Sequence, residues 1–282
     1  MGSDRDCSRL TGKPEVILKL ALRGDAPVRI RAVLDVRSYL DRIGYLGPID
    51  GTVGNLRALH RAHLLTVPFE NLDISLGRKI VLEEEAILRK ILELQRGGFC
   101  YELNGAFAGL LRALGFQVTL LSARVARSDG GEGPEFDHLT LRIDLEEPWL
   151  ADVGFGNSFL EPLRLEAETE QADPAGTFRL VEDGDRWQMQ KRESAGNWIA
   201  QYSFSLLPRR LEEFAGMCHV HQTSPKSSFT QKRICSRATP EGRITLSEMK
   251  LIVTSTGSRQ ETVIASEEER RRILQREFGI RL

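Results

Sequence analysis

The chain has 282 residues, of which 41% are hydrophobic, enough to bury ordinary globular cores. Its 39 Lys and Arg against 40 Asp and Glu leave a net charge of -1, so no overall field draws it to nucleic acid or an anionic membrane, and a small-molecule partner becomes the default. Its four cysteines, Cys7, Cys100, Cys218 and Cys235, are too few and too scattered for a disulfide framework, which favours a reducing compartment and requires each to be judged singly.

Residues 1–33 mix Gly, Pro, Ser, Asp and Arg without a sustained period and are set apart as an N-terminal extension with the composition of a disordered segment. The apolar run 16–22 contains Lys19 and is too short to span a bilayer, and no convincing cleavage site follows it. The expectation is a cytoplasmic protein, neither secreted nor membrane-bound. From there, Leu34, Val36, Tyr39, Leu40 and Ile43 predict a short amphipathic helix ending near Gly44, and Leu56, Leu59, Leu64 and Val67 predict a second that stops at Pro68. A third is expected over 83–95, its dipole favoured by Glu83, Glu84 and Glu85, before Gly97 and Gly98 break it. A fourth spans 100–114, with Leu103, Ala106, Phe107, Leu110, Leu111 and Leu114 on the buried side and Gly115 as stop. The stretch 34–116 therefore reads as a helical bundle.

Past Gly115 the period switches to two. Strands are predicted over 118–125, 138–145, 149–153, 178–181, 187–190 and 198–204, the pattern of an antiparallel sheet or barrel within 117–207. From 208 to 282 the pattern mixes, with strands near Ile244 and over 251–254 and a helix over 266–278 that opens on a Ser266 and Glu269 capping box. The fold class is α+β.

Chemistry concentrates in Arg96-Gly97-Gly98-Phe99-Cys100-Tyr101-Glu102-Leu103-Asn104. Two glycines let the backbone turn tightly and deliver Cys100 to the first turn of a helix, where free N–H groups and the dipole favour a thiolate. A cysteine is more often a small buried apolar residue, so a nucleophile needs an imidazole within reach and a third group to set its tautomer. The segment 138–156 reads as a hairpin turning near 144–147. Pairing across that turn brings His138 and Asp152 to one face as an orienting pair. Taken singly, His138 reads as a solvated strand end and Asp152 as a cap for the 154–156 turn. With Cys100 they give the Cys, His, Asp order of papain-like and transglutaminase-like enzymes.

These residues, together with Val67-Pro68-Phe69-Glu70-Asn71-Leu72, His138-Leu139, Asp152-Val153-Gly154-Phe155-Gly156, the run 222–229 and Thr239-Pro240-Glu241-Gly242, resemble the arylamine N-acetyltransferase family over about residues 34–282. The resemblance implies a helical bundle at 34–116, an antiparallel β-barrel at 117–207 and an α/β lid at 208–282, with Cys100, His138 and Asp152 as a papain-like triad. It also implies ping-pong transfer from acetyl-coenzyme A, a cosubstrate with no permanently bound cofactor, to an arylamine, hydrazine or arylhydroxylamine nitrogen. Phe69 and Phe155 fall near the acceptor ring, with Phe99 expected on the same apolar cleft. Phe155 is also placed with Gly156 at the donor's site, Gly156 where a glycine admits the pantetheine arm, and His219 and Lys226 fall near the donor's phosphates.

Amide synthases that close macrolactams share the family pattern, and cysteine proteases and transglutaminases share the triad. A catalytically silent coenzyme A-binding module would share the fold. Cys218, His219, His221 and Cys235 also permit a zinc reading, but no paired CxxC accompanies them and the mechanism needs no metal. Glu70 and Arg96 flank breaks between helices and are expected to form an ion pair fixing the cysteine loop, worth little if exposed. His60 and His63 sit on a helix whose other positions explain it, and take no role. A homo-oligomer is compatible with the sequence.

Overall fold

The structure is a computed structural model that describes residues 34–255 and 258–282; the 1–33 extension lies outside the described residues. Helix α1 (Val36–Ile43) starts on the Asp35 carboxylate, which accepts from the Arg37 and Ser38 N–H groups, and ends at Gly44 with φ 65°. Helix α2 (Val53–Thr66) is capped by Thr52 and stops short of Pro68. Next come β1 (Phe69–Glu70), α3 (Leu72–Ser75) and α4 (Glu84–Leu88), the last continued by a π-helical turn over Arg89–Glu93. That helix ends at Gln95, with φ 52°, so the break precedes the glycines. Helix α5 (Cys100–Ala113) is buried on nearly every side.

Strands β2 (Gln117–Val125), β3 (His138–Asp144), β4 (Pro148–Ala151), β5 (Leu163–Arg164), β6 (Gln171–Asp173), β7 (Gly176–Asp183), β8 (Arg186–Arg192) and β9 (Trp198–Ser205) form one antiparallel sheet in the order β5-β4-β3-β2-β9-β8-β7-β6. Its two edges are stapled by one side chain: the Gln171 amide donates to the Arg164 carbonyl at 2.9 Å and accepts from the Arg164 N–H at 2.7 Å. A nearly closed barrel results, its edge protected.

After a 3-10 turn at Leu211–Phe214 follow α6 (Ala215–Thr223), α7 (Ser228–Gln231), β10 (Ile234–Thr239), β11 (Gly242–Ser247), β12 (Lys250–Ser255), β13 (Ser258–Val263) and α8 (Glu267–Phe278). The second sheet runs β1-β10-β11-β12-β13. Its first strand comes from the helical segment, Phe69 pairing with Ser236 and Glu70 with Cys235. Asn71 locks this crossing, donating to the Phe229 and Lys232 carbonyls and accepting from the Ile234 N–H. No helix among the described residues is long and apolar enough to cross a membrane.

Strand β3 is buried on both faces. Leu139, Leu141 and Ile143 join the helical core, whereas His138 and Thr140 turn toward Tyr202 and the barrel. The β3–β4 register sets Leu141 opposite Ala151 and Asp144 opposite Pro148. Continued outward, it puts Thr140 across from Asp152 and His138 one diagonal step away on the same face.

Candidate active site

His138 Nε2 lies 2.6 Å from Asp152 Oδ2, and both side chains are buried. Burial alone would raise the Asp152 carboxyl. The His138 charge and hydrogen bond, with the Asn104 amide and the Gly154 N–H, outweigh it and hold the carboxyl below its ordinary value of 3.8. An ionised carboxylate only accepts, so Nε2 donates to it, and Nδ1 is the nitrogen left for other partners. Cys100 sits beside this pair: a Cβ on Gly154, two residues past Asp152, would come within 2.8 Å of its Cα and 3.0 Å of its carbonyl oxygen. The structure therefore brings Cys100, His138 and Asp152 together.

The thiol itself departs from expectation. Burial pushes Cys100 well above its ordinary value; the Leu139 N–H opposes this, while the charges of Asp152, Cys218 and Asp137 add to it. A helix start does not by itself outweigh desolvation here, so a thiolate at this position needs an imidazolium beside it.

Asn104, one helical turn after Cys100, ties the site together. Its Nδ2 donates to the Leu139 carbonyl at 2.6 Å and to Asp152 Oδ1 at 2.9 Å, and its Oδ1 accepts from the Val153 N–H at 2.9 Å. The i, i+4 spacing signals a shared face, but not what lies opposite it. His60, given no role above, is fully buried, with Nε2 3.0 Å from the Asp152 N–H. The glycines also act differently from expectation. Neither Gly97 nor Gly98 has a positive φ. A Cβ on Gly97 would sit 1.8 Å from the Pro68 carbonyl oxygen, and one on Gly98 2.7 Å from the Glu102 side chain, so close packing requires them.

Behind the nucleophile loop lies a buried ionic cluster. Arg96 bonds Glu70 at 2.7 Å and Asp73 at 3.1 Å, and Lys90 bonds Asp73 at 2.7 Å and Glu102 at 2.8 Å. The expected Glu70–Arg96 pair thus forms, and it is buried. Glu102 also accepts from the Phe99 N–H at 3.1 Å, fixing the residue before Cys100.

Phe155 packs edge-on to His138 with ring centres 5.1 Å apart, and Phe69 meets Phe229 at 6.1 Å, both half-buried. Phe99 is fully buried, enclosed by Tyr101, Phe229 and His221, and backs this aromatic wall instead of lining a cleft. Gly156 has φ 62° and open space where a Cβ would stand. His219 and Lys226 are exposed, whereas His221 turns inward, 3.3 Å from the Asp137 carboxylate. Cys218 packs in the helical core and Cys235 in the core of the second sheet, so the residues of the zinc reading are divided between two cores. Among the described residues no group of His, Cys, Asp and Glu is arranged to hold a metal.

The family model for N-acetyltransferase matches residues 52–282. The chain is 38% identical over 233 residues, 81% of its length and 83% of the relative's, to the arylamine N-acetyltransferase / N-hydroxyarylamine O-acetyltransferase of Salmonella typhimurium. A solved Salmonella typhimurium arylamine N-acetyltransferase superposes with a TM-score of 0.82 at 35% identity, covering 87% of this chain and 90% of that one. The Mycobacterium marinum arylamine N-acetyltransferase in complex with CoA gives 0.82 at 32% identity, with 87% and 93% covered. Helices, antiparallel barrel and second sheet follow the same plan, and the chain belongs to the arylamine N-acetyltransferase family.

Proposed function

We propose that the protein transfers an acetyl group from acetyl-coenzyme A, through acetyl-Cys100, to the nitrogen of an arylamine, hydrazine or arylhydroxylamine in the cytoplasm. The observation that carries this reading is the 2.6 Å bond from His138 Nε2 to Asp152, which leaves the Nδ1 lone pair for the Cys100 proton. Nδ1 takes that proton, and the thiolate attacks the thioester carbonyl. The carbon–sulfur bond to coenzyme A breaks, and the imidazolium returns the proton to the departing thiolate. The amine then attacks the carbonyl of acetyl-Cys100 and gives its proton to His138, the carbon–sulfur bond to Cys100 breaks, and the freed thiolate rests beside the imidazolium that Asp152 stabilises. The Cys100 and Tyr101 N–H groups, in the helix's first turn, have no acceptor within it and serve the oxyanion.

The acceptor ring is assigned to Phe69, Phe155 and Phe229, and the pantetheine arm to Gly156. For the phosphates, Arg243 and Lys191 suit better than the exposed His219 and Lys226. Arg243 is half-buried, pushed down to about 10 by desolvation, and has no carboxylate partner among the described residues. Lys191 is lowered by burial and by Arg243's charge, so an anion between them relieves both. We retain 34–116, 117–207 and 208–282 as structural units, β1 crossing from the first to the sheet of the third.

The test is intact-mass measurement after incubation with acetyl-coenzyme A. We expect one acetyl adduct on the wild type, mapping to Cys100, absent from Cys100→Ala and discharged by an arylamine. No adduct, or one that persists in Cys100→Ala, sinks the reading. Saturable coenzyme A binding without thiol release would leave a binding module in its place.

A further inference from the structure

His60 is an imidazole whose two nitrogens are both committed. Nδ1 lies 2.9 Å from the Leu160 carbonyl, and Nε2 lies 3.0 Å from the backbone N–H of Asp152. A carbonyl only accepts, so Nδ1 carries the proton; an amide N–H only donates, so Nε2 offers the lone pair. Both contacts demand the same neutral tautomer. Burial, which lowers the ring's proton affinity, favours that neutral form.

The ring is held in its plane by Phe159, stacked with centres 5.7 Å apart, and edge-on by Phe107, at 5.8 Å, on the helix that begins with Cys100. It grips both ends of the loop 153–159. That loop carries Gly154 against Cys100 and Phe155 against His138. Asp152 thus receives a backbone anchor from α2 that is separate from the three bonds to its carboxylate.

We propose that His60 is a positioning residue for the acetyl-transfer site: by accepting the Asp152 N–H it sets the height of the carboxylate under His138. This rests on Asp152 being the carboxylate that orients His138. A misplacement of an ångström in such a group costs on the order of 10²-fold in rate, and a ring retained only for packing would be replaceable by phenylalanine.

Three variants separate the roles. His60→Phe keeps the aromatic stack and loses both hydrogen bonds. His60→Asn keeps a donor where Nδ1 stands and loses the acceptor for Asp152. His60→Gln reaches with its oxygen to the place of Nε2 and keeps that acceptor. The readouts are the pH profile of Cys100 alkylation by iodoacetamide and the rate of Cys100 acetylation by acetyl-coenzyme A, on variants whose thermal unfolding remains cooperative, with Asp152→Asn as reference. We expect the Phe and Asn variants to acetylate roughly 10- to 100-fold more slowly and to move the alkylation midpoint upward, as Asp152→Asn does, with Gln restoring most of both. Equal behaviour of Asn and Gln, or a wild-type profile in His60→Phe, overturns the role of His60. An unaltered profile in Asp152→Asn overturns the reading of Asp152, and the inference with it.

Discussion

Asn104 and Asp152 share a 2.9 Å hydrogen bond that fastens the helix beginning at Cys100 to the strand end carrying the carboxylate. The same amide satisfies the Leu139 carbonyl and the Val153 N–H. Asn104→Leu removes three buried hydrogen bonds. We expect a loss of about 2 kcal/mol or more in stability, read by urea unfolding, and an acetylation rate that falls further than the stability loss explains. Unaltered thiol release from acetyl-coenzyme A would show that the bond does not matter.

Cys100 offers a second test, because burial pushes its thiol up and only a neighbouring imidazolium can hold the anion. In His138→Gln, iodoacetamide should modify Cys100 at neutral pH at least about tenfold more slowly than in the wild type, with the rate recovering only in alkali. Cys218, raised to about 12 by burial, should stay unmodified in both proteins, as checked by peptide mapping.

The ionic cluster behind the loop holds three carboxylates against two cations. Arg96→Ala takes from Glu70 its nearest cation and leaves Asp73 to Lys90 alone of the two buried cations, and we expect it to cost about 3–5 kcal/mol. The pH signs oppose. Lys90 and Arg96 outweigh burial at Asp73 and hold it below 3.8, so its contribution is full above that value and lost as pH falls through the lowered one. Burial raises Glu102 above 4.5 against the pull of Lys90, so its contribution shrinks as pH rises from 4.5 through the raised value. Glu102→Gln should flatten that decline in unfolding free energy, and an undiminished slope would assign the decline to another group.

Gly154 approaches Cys100 so closely that an added Cβ meets the Cα at 2.8 Å and the Asn104 amide at 2.7 Å. Gly154→Ala must push the 153–159 loop off the helix. Overpacking of this kind costs about 1–3 kcal/mol, and we expect acetylation to be lost well before folding, as circular dichroism and thiol release on one sample would reveal.

Arg243→Ala removes a desolvated cation that has no carboxylate partner among the described residues and should raise the KM for acetyl-coenzyme A. An aryl acetate ester, which carries no phosphates, should acetylate Cys100 at the wild-type rate. Equal loss with both donors would place Arg243 outside phosphate recognition.

The helices and longer strands were legible because each buries one periodic face, and the 138–152 pairing followed from the turn position and an alternation of two. Strands β5 and β6 have two and three residues, too few for a period to register, and β1 is a pair of residues whose partner lies far along the chain. His60 takes no role in the sequence because the other positions of α2 explain the helix and its partner is 92 residues away. The Cys100 thiol was misjudged because local sequence reports the helix start and not the desolvation that packing imposes.

Strand β1 has a consequence for how the enzyme comes into being. Phe69 and Glu70 are synthesised long before their ladder partners Ser236 and Cys235. Until then the Pro68 segment, against which Gly97 must nestle, is held on one side only, by the Gly98 backbone, and Asn71 waits for Phe229, Lys232 and Ile234. A nascent chain would therefore carry its sulfur, imidazole and carboxylate without the floor that aligns them, and turnover would wait until β10 has been made and has paired with β1.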